Sequence, residues 1–425
     1  MQSLREKGVR ALRSSERLFK LDMVYLFKGG LWTTLSFVVG TLASLVTMVA
    51  FGNLLPREAY GTYNYLLSLG ATLSFLTLSG ISVAVMRAVA RGHENIVPAA
   101  MRLQLKYNLI AIAMVMASAT YYGYKGNTLF ALSLAMLAIA YPLAQSFHIF
   151  KQILTGKKRF DTLTKITSII TLISTLATVA TLFLTDNVLI IIAVYSLMSL
   201  LPNLFAYKSV SRHLDKSLPA AEQITEMRRT AFHFTGAGLI GTAAQYIDKI
   251  VLFQVAGPAS LAVYGFALAG PESLKSLVKN WTSIALPRLA QSSLPEIRRV
   301  LYRRITYSML IGGALSLVYW LLAPILFNLF LPRYTDAIIY SQILALGLII
   351  MPAVVYIGSI FSSQNMLRAN YALNIGNHIL RISLYLILGW LWQIWGLIIA
   401  SLLSSLINTV YGMVIWEFES RRLLR

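Results

Sequence analysis

Residues 245–269 read QYIDKIVLFQVAGPASLAVYGFALA. Gly257 and Pro258 divide two apolar runs, 231–256 and 260–283. Each run is long enough to cross a hydrocarbon core, which takes about 20 apolar residues. The pair therefore reads as two membrane helices joined by a short connection at 257–259. The adjacent charges Asp248 and Lys249 lie inside the first of them, where burial of an unpaired charge is costly.

The rest of the chain has the same character. Of 425 residues, 57% are hydrophobic and 12% are charged, about half the charge of an ordinary soluble domain. The net charge of +21 does not indicate a nucleic-acid partner, because the basic residues are spread between apolar runs. With no cysteine in the sequence, disulfides, thiol catalysis and cysteine metal sites are excluded. Residues 1–29 are basic and lack the apolar core and cleavage site of a secretory signal. They read as a cytoplasmic segment, interfacial in character.

Twelve runs qualify as spans: 30–54, 62–86, 106–124, 128–150, 163–184, 188–207, 231–256, 260–283, 305–330, 335–361, 372–391 and 394–416. The last two are joined by a tight turn at 392–393. Alternate connections then carry 32 of the 37 basic residues on one side and 3 on the other, with Lys249 and Arg381 left inside spans. The positive-inside rule puts the 32 in the cytoplasm, together with both termini. Connections on the opposite side are short. This argues against a membrane glycan polymerase, ligase or glycosyltransferase, which needs catalytic acids and an exposed loop. The polar stretch 208–230 separates two halves of six spans, 30–207 and 231–416, and 417–425 is a tail.

The halves echo one another. LLPREAYGTYNYLL in the first answers VAGPASLAVYGFAL in the second, and basic residues follow each, in MRAVAR and LKSLVK. Parallel repeats of this kind place a substrate path between the halves, near the midplane. These stretches, with TLSGISVAVMRAVARG and ALPRLAQ, resemble Wzx-type polysaccharide (O-antigen) flippases of the multidrug/oligosaccharidyl-lipid/polysaccharide exporter superfamily. The resemblance implies an all-α polytopic membrane protein with two six-helix bundles around a central cavity. It also implies alternating access in the bacterial cytoplasmic (inner) membrane and an undecaprenyl-pyrophosphate-linked oligosaccharide as substrate. On this reading the protein is not an enzyme and needs no cofactor beyond a coupling H+ or Na+. Its partners are membrane lipids and the polysaccharide polymerase and chain-length machinery, and it works as a monomer.

Polar residues within spans are the candidate site. Gly241, Gln245, Asp248 and Lys249 share one helical sector, lining a wet cavity or clamping neighbouring helices. Glu272, Lys275 and Lys279 form a second stripe after Pro271, although Lys279 can also snorkel to the headgroups. Asn374, Asn377, His378 and Arg381 form a third, in which Arg381 grips phosphate or balances an acid. Tyr141, Gln145, His148 and Gln152 form a fourth. Arg87 lies near the cytoplasmic mouth, and Tyr63, Tyr246, Tyr264 and Trp281 are candidates to stack on sugars. The expected substrate contacts are therefore Lys249, Arg381, Lys275, Arg87, Lys279, Gln245, Asn377, Tyr63 and Tyr264. Asp248, Glu272 and His378 are the expected ion-coupling groups. A multidrug or organic-cation antiporter of the same superfamily is the alternative, but it calls for an acidic cavity. No metal cluster or nucleotide-binding loop is present; the glycine-rich GAGLIGTA at 236–243 suits helix packing.

Overall fold

In the computed structural model, residues 23–424 are described except 75–76, 216, 285–293 and 365. The start of the basic N-terminal segment and the ALPRLAQ stretch lie outside the described residues, as do the side chains of Lys279 and Trp281. The described chain is helical: α1 (Met23–Leu54), α2 (Arg57–Leu73), α3 (Ile81–Ala90), α4 (Val97–Tyr124), α5 (Thr128–Phe147), α6 (Ile149–Gly156), α7 (Phe160–Leu184), α8 (Val188–Ser211), α9 (Ala221–Ala244), α10 (Ile247–Ile284), α11 (Leu294–Phe330), α12 (Ala337–Ala345), α13 (Gly347–Ser363) and α14 (Leu367–Leu424). Local chemistry sets the starts. Asn127 and Asn187 accept from the backbone N–H of Phe130 and Leu189, satisfying donors that a helix start leaves free. Pro98 opens α4, where its missing N–H costs nothing.

Nine helical segments among the described residues are long and apolar enough to cross a membrane, fewer than the twelve runs expected. The difference has identifiable causes. Two of the nine, Ala221–Ser276 and Arg368–Arg422, contain a chain reversal. In α10 it falls at Gly257, with φ 80° and ψ 179°, a conformation open essentially only to glycine. Asp248 and Tyr264 are hydrogen bonded across it at 3.0 Å, whereas 16 residues of straight helix would separate them by about 24 Å. In α14 the reversal falls at Gln393, with φ 50°, and Gly396 packs so closely on the Leu388 carbonyl that a Cβ has no room. The expected second span is instead divided into α2 and α3 by an irregular stretch. Shorter breaks follow at His148, Gln245–Tyr246 and Leu346.

The helices of the first half pack as α1 on α7, α4 on α5 and α5 on α8. In the second half α11 packs on α13, α13 on α14, and α10 on α14 and α12. Among the described residues the halves meet most extensively at two places. At the charge-poor end α2 lies along α10: Tyr65 stacks on Phe253 at 3.8 Å and Tyr60 on Phe266 at 4.5 Å. Gly61 backs onto the Pro258 carbonyl, and Arg57 pairs with Asp336 at 2.8 Å. At the basic end α3 meets α9, where the Gly80 N–H donates to Thr235 Oγ1 at 2.9 Å and Arg91 pairs with Glu226 at 2.7 Å. Large apolar side chains such as Leu176, Phe183 and Ile311 point outward, as expected of surfaces facing lipid.

Candidate functional site

Between the two bridging contacts lies a cavity of about 760 Å³ with a mixed polar and apolar lining. The first half contributes Ser44 and Thr47 of α1, Ser174 and Thr175 of α7, and Tyr63 of α2; the second contributes Glu272, Ser273 and Ser276 of α10. Glu272 also lines an adjoining cavity of about 190 Å³ with Lys275, Asn377 and Arg381. Lys275 and Glu272 form an ion pair at 2.8 Å, with the carboxylate 57% exposed and the lysine 18%. One positive charge remains, from Arg381. Ser401, Ser404 and Asn408 of α14 complete a hydroxyl- and amide-rich wall. Such a wall can offer an anion one guanidinium and several neutral donors.

Arg381 is held from behind. Its Nε donates to the Tyr385 hydroxyl at 3.1 Å, and the guanidinium lies 5.0 Å from that ring's centroid. Asp248 is within electrostatic reach of Arg381, Tyr264 and Tyr385, and only 3% of it is exposed. Its Oδ2 accepts from Tyr264, while its Oδ1 is buried without a hydrogen-bond partner. A buried carboxylate in this condition is costly, and a proton or small cation would relieve it.

The residues expected as one stripe, Gly241, Gln245, Asp248 and Lys249, have different surroundings on either side of the turn at Gln245–Tyr246. Gly241 packs against His378 Nε2, 2.9 Å from where a Cβ would stand. This places His378 in a contact between α9 and α14. Lys249 Nζ lies 5.8 Å from the Tyr246 ring centroid. Gln245 lines a separate cavity of about 250 Å³ with Tyr141, Gln145 and Tyr246. His148 bonds back to Gln145 at 3.1 Å. Tyr264 is fully buried, so its ring offers no face for a sugar; its hydroxyl serves Asp248 instead. Tyr63 is stacked on Phe51 at 4.9 Å and reaches the large cavity with what remains open. Arg87 lies away from both central cavities, 4.9 Å from the Phe234 ring centroid, in a small pocket at the basic end. Asn374 donates to Asn370.

Sequence reading missed Tyr385, although its spacing of four from Arg381 was a usable signal. It also missed the stripe Ser401, Ser404 and Asn408 in the last span. No group of three or more metal-ligating side chains occurs among the described residues.

Beside the large cavity, and sharing Leu45 and Met48 with it, runs a groove of about 670 Å³ between α1 and α11. Apart from Asn53 and Tyr319 its lining is apolar, with Val46, Phe183, Leu326 and Phe330 among its residues. A chamber bearing polar groups beside an apolar groove has the make-up to take a molecule with a polar head and a hydrocarbon tail.

A profile of the family described as polysaccharide biosynthesis protein matches residues 26–293. No curated protein matches the chain. Among solved structures, the inward-facing conformation of a multidrug resistance MATE family transporter of the MOP superfamily is similar with a TM-score of 0.64. It has 14% identity and the match covers 89% of this chain and 94% of that one. The outward-facing conformation of such a transporter gives a TM-score of 0.56 at 16% identity, over 91% and 96%. A MOP superfamily transporter from Pyrococcus furiosus, described as having a binding pocket of reverse polarity that suggests a different function, gives 0.55 at 15% identity, over 92% and 95%. These likenesses establish a MATE-like fold for a multi-pass membrane protein.

Proposed function

The chain belongs to the polysaccharide biosynthesis protein family, and on that premise we propose that it flips a polyprenyl-pyrophosphate-linked oligosaccharide across the bacterial cytoplasmic membrane. The observation that carries this reading is the pairing of a central cavity that holds hydroxyls and a carboxylate with a nearly wholly apolar groove at its side. The groove takes the polyprenyl chain, which stays in lipid throughout. The chamber and the smaller cavity beside it take the head, where Arg381 offers positive charge and Lys275 is paired with Glu272. In this reading twelve crossings form two bundles, 30–207 and 231–416, joined by the linker 208–230, with both termini in the cytoplasm. The bundles rock so that the chamber opens alternately to each side.

Coupling belongs to Asp248 rather than Glu272. Glu272 already has a lysine partner, whereas Asp248 keeps a buried oxygen free for a proton or sodium ion. An organic-cation antiporter fits less well, because one acid and two bases line the charged cavity.

The test is a leaflet assay in proteoliposomes with fluorescently tagged undecaprenyl-pyrophosphoryl-N-acetylglucosamine, with an imposed proton or sodium gradient. We expect gradient-dependent translocation that Arg381→Ala abolishes and Asp248→Asn uncouples from the gradient. Transport of an organic cation dye in place of the lipid would overturn the reading.

A further inference from the structure

The cavity of about 250 Å³ around Gln245 differs from the charged one. Tyr141, Gln145, Thr242, Gln245 and Tyr246 contribute hydroxyls, amides and two aromatic rings, and none of its lining residues carries a charge. Two helix interruptions bound it: the stretch between α2 and α3, through Ser74 and Ser79, and the break at Gln245–Tyr246. Irregular backbone at membrane depth is tolerated where it lines a wet space, and interrupted helices are where transporters place their ligands.

Tyr195 of α8 is within electrostatic reach of both Tyr141 and Tyr246. On its other side it meets Tyr63 edge-on, with ring centroids 6.3 Å apart and an interplanar angle of 87°. Tyr63 lines the large central chamber. Tyr195 thus stands beside tyrosines that line each of the two spaces.

An uncharged, hydroxyl- and amide-lined space has no group for a phosphate. It suits a ligand that exchanges many neutral hydrogen bonds while laying an apolar face on an aromatic ring, which describes a neutral sugar. Resting on the flippase reading above, we propose that this cavity seats a neutral hexose or N-acetylhexosamine ring of the transported glycan. The pyrophosphate and the sugar are then recognised in different cavities, by charge in one and by hydroxyls and rings in the other.

The experiment measures binding to the full chain in nanodiscs with three probes: bare undecaprenyl pyrophosphate, undecaprenyl-pyrophosphoryl-N-acetylglucosamine, and free maltotriose. We expect the sugar-bearing lipid to bind about tenfold tighter than the bare lipid, the scale of one or two good polar contacts. Tyr246→Leu should remove most of that difference. Tyr246→Phe, which keeps the ring and guards against misfolding, should remove about half of it on a logarithmic scale; neither should change the bare lipid. A difference that survives both substitutions, or a parallel loss for both lipids, overturns the proposal. Failure of the wild type to bind bare lipid would sink the flippase reading instead. Maltotriose then decides the sugar seat: binding weakened by Tyr246→Leu sustains it, and no binding or no weakening refutes it.

Discussion

Gly61→Ala tests what holds the charge-poor end shut. The Pro258 carbonyl occupies the place of the missing Cβ at Gly61, so alanine requires the two backbones to separate. The α10 side yields poorly, because Pro258 has a fixed φ and follows a glycine at φ 80°. Overpacking of this kind costs about 1–3 kcal/mol. With RT near 0.59 kcal/mol, that is a factor of roughly 5 to 150 in the ratio of closed to open. The ion pair between Arg57 and Asp336 at the same end is 39% and 47% exposed, and exposed pairs contribute about 0–1 kcal/mol. Arg57→Ala should therefore open this end less than Gly61→Ala. The native chain has no cysteine, so spin labels at Glu58→Cys and Thr335→Cys report without background. Electron–electron distance measurements in nanodiscs should show a new, longer component with Gly61→Ala and a minor one with Arg57→Ala. The reverse order, or an unchanged distribution with Gly61→Ala, would refute close backbone packing as the dominant lock.

Two further substitutions address the second half. Tyr264→Phe removes the hydroxyl that donates to Asp248 and leaves a buried carboxylate unserved, at a cost of about 1–3 kcal/mol. Thermal unfolding in detergent should fall by several degrees, and adding Asp248→Asn should restore part of the loss; no change in either would contradict a charged Asp248. Glu272→Gln releases Lys275 from its ion pair and raises the positive charge of the smaller cavity. Bare undecaprenyl pyrophosphate should bind about two- to fivefold tighter at low salt, with the gain fading as salt screens it; weaker binding would count against an anion in that cavity.

Much of the fold is legible in local sequence. Apolar run length marks the helices, and Gly257-Pro258 marks the reversal that Asp248 and Tyr264 then span. Positions also follow from period within one helix: Glu272 and Lys275, three apart, do pair, and Asn377 and Arg381, four apart, do line one cavity. The period failed where the helix itself broke. At Gln245–Tyr246 the expected stripe was scattered, sending Gln245 to one cavity, Asp248 to the core and Lys249 to a tyrosine ring.

The sequence by itself determined that this is a helical membrane protein, where its polar residues are scarce, and which of them share a turn. Only the tertiary structure decided that Tyr264 serves Asp248, that Arg381 leans on Tyr385 beside them, that Arg87 stands apart, and that Gln245 meets Tyr141. The reason is geometric. A run and its period describe angles about one helix axis, whereas a cavity or a buried partner belongs to the space between axes, which packing sets.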